Sequence, residues 1–156
     1  MHKLIRGWVL FLAVSACVYN PPSEQKTQSA TTTVAIPVGQ AWDRVLAVLT
    51  ESGYTITATS KESGSITTGE KLVRLNETQA DCGNIWGIPY TKDPRTQTLV
   101  SFTVRLTESS LGQTKTVIAT RVEGRFLAYA GAQTTLLQCQ SLGYLEQDLI
   151  GKLGNK

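Results

Sequence analysis

The first sixteen residues constrain this chain more than any later feature. Met1-His2-Lys3-Leu4-Ile5-Arg6 is positively charged, and Gly7-Trp8-Val9-Leu10-Phe11-Leu12-Ala13-Val14 is an uncharged apolar run behind it. That order is the order of a secretory signal. The run is far shorter than the roughly 20 apolar residues a transmembrane helix needs, and the small residues Ser15 and Ala16 come directly after it. Residues 1–16 are therefore expected to be cleaved. The rest of the chain must then fold in an oxidising compartment, where cysteines are available as braces.

Val14-Ser15-Ala16-Cys17 resembles the lipobox of bacterial lipoproteins, in which an aliphatic and two small residues precede a cysteine. The resemblance implies cleavage between Ala16 and Cys17, diacylglycerol on the Cys17 thiol and a further acyl chain on its new amino group. At about 0.8 kcal/mol per buried methylene, one chain binds a membrane marginally and two signals bind it stably. Three chains imply lasting attachment. By the same resemblance, Val18 after the cysteine, where Asp would favour the inner membrane, implies the outer membrane with the domain facing the periplasm. Beyond this covalent lipid no cofactor is implied.

Loss of residues 1–16 removes Lys3 and Arg6 from 15 basic side chains, leaving 13 against 12 acidic ones, a net charge of +1. A near-neutral chain without a basic cluster has no electrostatic footprint for nucleic acid. With Cys17 assigned to lipid, Cys82 and Cys139 remain as a pair. A disulfide is the expected use, and the long loop it closes would make it worth about 4 kcal/mol on the chain-entropy model. A metal site would need more ligands, since the one histidine, His2, leaves with the signal.

From Cys17 to about Thr32 the chain is rich in Pro, Ser, Thr and Gln without apolar periodicity, which reads as a flexible tether reaching about 20 Å. Residues 33–156 suit a single domain. Thr33 to Ile36 reads as a strand. Ala41, Trp42, Val45, Val48 and Leu49 then recur at helical spacing between Gly39 and Ser52, with Asp43 in the first turn and Gly53 as a stop. Tyr54 to Thr59 alternates, Ser63-Gly64 turns, and a strand returns from Ile66 through Leu72 and Val73 to Leu75. Val100, Phe102, Val104 and Leu106 alternate with polar residues, the chain turns at Ser109 to Gln113, and Thr116 to Phe126 pairs back. Leu142, Leu145, Leu149, Ile150 and Leu153 place a closing helix over Ser141 to Leu153, with Ser141 as its cap. The expected class is α+β: an antiparallel sheet of about five strands with two helices packed on one face. The many threonines fit the opposite, wetted face.

No nucleophile–base constellation is visible. The mature chain has no histidine, and no serine sits in a Gly-x-Ser-x-Gly setting. Glu70, Glu77, Asp81 and Asp93 are the carboxylates that could serve glycan cleavage as a pair, or stand as solvated loop charges. The segment Asp81 to Arg95 is unusual in placing Trp86, Ile88 and Tyr90 among Gly and Pro residues that break regular structure. Such a loop either covers a core edge or offers anchors to a partner. No small-molecule substrate is suggested.

Val38-Gly39-Gln40-Ala41-Trp42-Asp43-Arg44-Val45, with Leu49, Ser52-Gly53-Tyr54-Thr55-Ile56 and Gly64-Ser65-Ile66-Thr67-Thr68, resembles the repeat unit of BamC-type outer-membrane lipoproteins. About 35 residues carry the resemblance, and this chain has room for one such unit where BamC has two. It implies a helix-grip-like fold and an accessory, non-catalytic, protein-binding role in an outer-membrane assembly or a secretion complex. Two alternatives belong to other classes: a glycan-acting envelope enzyme using paired carboxylates, and a peptidoglycan-binding lipoprotein.

Overall fold

The computed structural model describes residues 19–22, 29–109, 112–128 and 133–154. The signal, Ala16 and Cys17 lie outside the described residues. In chain order the strands are β1 (Tyr19–Asn20), β2 (Ser29–Val34), β3 (Ile56–Ser60), β4 (Ser65–Thr68), β5 (Lys71–Leu72) and β6 (Ala80–Asp81). After them come β7 (Asn84–Ile85), β8 (Ile88–Pro89), β9 (Thr96–Ser109), β10 (Gln113–Leu127) and β11 (Thr134–Ser141). The helices are α1 (Val38–Glu51) and α2 (Tyr144–Gly154).

The spine is the β9–β10 hairpin, whose alternating sequence pairs in unbroken antiparallel register from Ser109↔Gln113 to Thr96↔Phe126. Each strand is long enough to take two partners end to end on its free edge. β9 pairs with β4 through Thr103–Arg105 and with β5 through Leu99–Val100. β10 pairs with β2 through Thr114–Ala119 and with β11 through Val122–Leu127. With β3 outside β4 and β6 outside β11, the sheet has eight strands, more than the five or so expected. The first strand of this sheet starts at Ser29, so residues 29–32, expected in the tether, belong to the sheet, where they pair with Thr116 to Ala119. A separate three-stranded sheet joins β1, β7 and β8.

The helices cover one face of the large sheet, and the class is α+β as expected. Ala41, Trp42, Val45, Val48 and Leu49 from α1 share a core with Leu145, Leu149 and Leu153 from α2 and with Val100, Phe102, Val104, Ile118 and Val122 from the spine. The Arg44 guanidinium donates to the Leu153 carbonyl at 3.1 Å, tying the helices together. Helix α1 begins at Val38, so Asp43 falls in its second turn. It ends in a Schellman closure: Gly53 (φ 77°) donates to Thr50 O and Tyr54 donates to Leu49 O. Helix α2 starts three residues later than expected, and Leu142 is outside it and 45% exposed. Ser141 still governs its entry: its hydroxyl accepts from Gly143 N–H and donates to the buried Glu146 carboxylate at 2.7 Å.

The threonines divide between the two faces: Thr31, Thr33, Thr103 and Thr107 are exposed on the outer face as expected, and six others correct the expectation. Thr68, Thr96, Thr98, Thr114, Thr116 and Thr120 are buried on the helix-covered face. Threonine has the branched shape of valine and fits a pleated, packed surface. Half of these hydroxyls serve the backbone: Thr68 accepts from Phe102 N–H, Thr114 donates to Ile36 O, and Thr98 donates to Val73 O while accepting from Leu75 N–H. The hydroxyls of Thr96, Thr116 and Thr120 have no such partner among the described residues. Tyr54 packs edge-on against Phe102 at 5.0 Å, and burial, with the Asp148 charge behind it, pushes its phenol up to about 12.

An unpaired buried hydroxyl costs free energy that an isosteric methyl does not. Thr116→Val is therefore expected to raise stability by about 1 kcal/mol, read as a higher denaturant midpoint at unchanged slope.

Candidate functional site

The Thr96 end of the spine carries a second, smaller core. Cys82, Tyr90 and Leu137 are buried there, with Ile85, Phe126 and Cys139 packed against them. Cys82 and Cys139 form the expected disulfide, 57 residues apart in sequence. Cys139 lies in β11, a strand without a signal in the sequence, so the bridge pins β11 to the segment that follows β6. Gly124 makes room for it: a Cβ there would stand 2.8 Å from Cys139 Sγ and 3.0 Å from Leu137 Cβ.

The segment after Cys82, expected to be irregular, is a two-residue β-hairpin. Asn84 pairs with Pro89 and Ile85 with Ile88, leaving Trp86 and Gly87 as the turn. Trp86 has φ 55° and Gly87 φ 77°, the pair of positive angles that a type I′ turn requires. Asn-Gly is the usual occupant. For tryptophan the left-handed region costs roughly 1–2 kcal/mol, so surrounding contacts must hold it. Those contacts are present. The Asp81 carboxylate accepts from Gly83 N–H at 2.8 Å, and Tyr90 N–H donates to Gly83 O at 3.0 Å. The Asn84 side-chain oxygen accepts from Gly87 N–H at 3.3 Å and from the Asn20 amide at 3.2 Å.

The three residues singled out in this segment separate into two roles. Tyr90 is 6% exposed and stacks edge-on against Phe126 at 5.0 Å, so it covers the core and is not available to a partner. Trp86 and Ile88 are 68% and 58% exposed and form an apolar tip. Ile85 packs against the small core, whereas Ile88, its cross-strand neighbour, stays exposed beyond the core's edge. The Arg95 guanidinium closes the base, lying 4.7 Å from the Phe126 ring centre and bonding the Asp93 carboxylate through both oxygens at 2.9 and 2.6 Å.

β1 adds a further strand to this hairpin, with Tyr19 opposite Ile85 and Asn20 opposite Asn84. The chain then crosses Gly83, where a Cβ would stand 2.5 Å from Asn20 O and 3.3 Å from Pro22 Cδ. No sequence signal points to this pairing, because Tyr19-Asn20-Pro21-Pro22 has no periodicity.

The four carboxylates considered for glycan chemistry have different partners. Glu77 pairs with Lys92 at 2.9 Å, and Glu70 with Arg125 at 3.5 Å. Asp93 pairs with Arg95, and Asp81 accepts from Gly83 N–H. Hydrogen bonds from Lys92 and from Arg95 hold the Glu77 and Asp93 carboxyls below their ordinary ranges. None of the four shares a hydrogen bond with another among the described residues.

A second feature is not legible in the sequence. An open cleft of about 680 Å³ lies between the start of α1 (Pro37, Val38, Trp42, Asp43), the β3–β4 turn (Lys61, Glu62) and the far end of β9 (Leu106, Glu108). It stands at the opposite end of the spine from Trp86, since the ten residues from Thr96 to Leu106 rise about 33 Å in a strand.

Comparison of the sequence with models of known protein families and with curated proteins yields no match. Among the described residues no helix is long and apolar enough to cross a membrane.

The disulfide is the brace of this end of the molecule. Replacing Cys82 and Cys139 together by serine is expected to lower stability by about 4 kcal/mol in chemical denaturation.

Proposed function

We propose that this chain is a lipoprotein of the bacterial cell envelope, lipidated on Cys17 after cleavage behind Ala16, seated in the outer membrane with its domain in the periplasm. The domain acts as a non-catalytic, protein-binding accessory subunit of an outer-membrane assembly or secretion complex. Its two helices on one face of an antiparallel sheet are compatible with the helix-grip-like, BamC-like architecture that the Val38 to Thr68 segment suggests.

The observation that carries the protein-binding reading is the open cleft at the Leu106 end of the spine; the exposed Trp86-Gly87-Ile88 tip is a separate outward surface. A chain that spends backbone strain to hold a tryptophan and an isoleucine away from its own core has a use for them outside that core. The separate engagement of Glu70, Glu77, Asp81 and Asp93 favours binding over paired-carboxylate catalysis. The distal cleft, lined by the apolar Val38, Trp42 and Leu106 together with Asp43, Glu62, Glu108 and Lys61, suits a protein segment of mixed charge.

Metabolic labelling with palmitate tests the anchor. The wild-type chain is expected to take up label and lose residues 1–16, and Cys17→Ala to remain unlabelled and unprocessed. A photo-reactive residue in place of Lys61 is expected to give one discrete adduct with an envelope protein in cells. An unlabelled wild type contradicts the anchor, and absence of any adduct contradicts the subunit role.

A further inference from the structure

We infer that the Trp86-Gly87-Ile88 tip seats in the interfacial layer of the same phospholipid bilayer that holds the lipid of Cys17, fixing the orientation of the domain on the membrane. The inference rests on Cys17 being the lipid anchor.

Three observations carry it. First, β1 docks on the hairpin through Tyr19↔Ile85 and Asn20↔Asn84, so the anchor enters the domain at the hairpin itself. Cys17 is two residues from Tyr19, and two residues of chain span at most about 7 Å. The headgroup layer on each side of a bilayer is about 5–7 Å deep, so an acylated Cys17 brings the neighbouring turn to that depth. Second, the tip chemistry is interfacial. Trp86 offers a large apolar ring with one N–H, the combination that concentrates at membrane–water boundaries, and Ile88 adds aliphatic surface beside it. Third, the tip is held outward. Ile85 and Tyr90 are packed in the small core, the disulfide fixes Cys82, and the Asn84 side chain closes the turn onto Gly87. A protein partner would have to approach the tip through the surface that the anchor presses against the lipid. In this orientation the distal cleft faces away from the bilayer.

The purified lipidated protein, reconstituted in phosphatidylethanolamine and phosphatidylglycerol vesicles, tests the inference by tryptophan fluorescence. With residues 1–16 removed, Trp42 and Trp86 remain, and Trp42 is buried, so Trp42→Phe isolates Trp86. The expected result is a blue-shifted Trp86 emission that brominated lipid quenches and aqueous iodide does not. Ile88→Asp should lose the lipid quenching while the protein still floats with the vesicles. Flotation with a Trp86 emission open to iodide overturns the inference and leaves the anchor standing. Failure of the wild type to float overturns the anchor reading and the inference with it. Protection of Trp86 in native envelopes but not in vesicles overturns it in favour of a protein partner.

Discussion

The unbroken register of β9 against β10 sets the position of nearly everything else. Because the two strands stay paired over their whole length, each leaves an edge long enough for two shorter strands in series. β4 and β5 fill one edge, β2 and β11 the other. The inward positions then form one continuous surface, wide enough for both helices. The spine also gives the molecule two unlike ends. The disulfide, the small core and the Trp86 hairpin gather at the Thr96 end, and the open cleft at the Leu106 end.

Stability is distributed unevenly along that spine. The central part is apolar, with Val100, Phe102, Val104, Ile118 and Val122 under the helices. Threonine takes inward positions toward both ends, at Thr96 and Thr98 and at Thr114 and Thr116, and once in the middle, at Thr120 opposite Phe102. There the packing shape is kept while some hydroxyls satisfy backbone groups and others go unpaired. The Thr96 end compensates through covalent and aromatic means: the Cys82–Cys139 bridge, Tyr90 against Phe126, and Arg95 over the same ring. Such a brace matters where strain is stored, and Trp86 is the described non-glycine residue with positive φ.

Periodicity reveals what periodicity governs. Helix α1 is legible within a residue at each end, because five buried apolar positions recur at helical spacing and Gly53 closes it. The spine is legible from its alternation, and the disulfide from counting cysteines once Cys17 is set aside. β11 escapes such a reading because its inward positions include only one large apolar residue, Leu137, while Leu136 points outward. The β7–β8 hairpin escapes it because tryptophan stands where asparagine usually marks a type I′ turn. The inward threonines are expected on the wetted face because residue type alone does not separate a packed β-branched side chain from a solvated one. The docking of β1 depends on a partner 64 residues away, and Tyr19-Asn20 carries no trace of it. Of the candidate site, Trp86 and Ile88 are legible as unusual, and Tyr90 is separated from them only by its packing on Phe126.

The functional reading depends most on where the chain enters the domain. With β1 docked, the lipid proposed on Cys17 and the apolar tip are neighbours and the cleft is distal; with β1 undocked, the proposed orientation would be lost. Nuclear Overhauser contacts between Asn20 and Asn84 in the mature protein measure this directly. The account predicts cross-strand contacts between them and slowed amide exchange at Asn20. Random-coil shifts and free exchange at Asn20, with the rest of the domain folded, would contradict it.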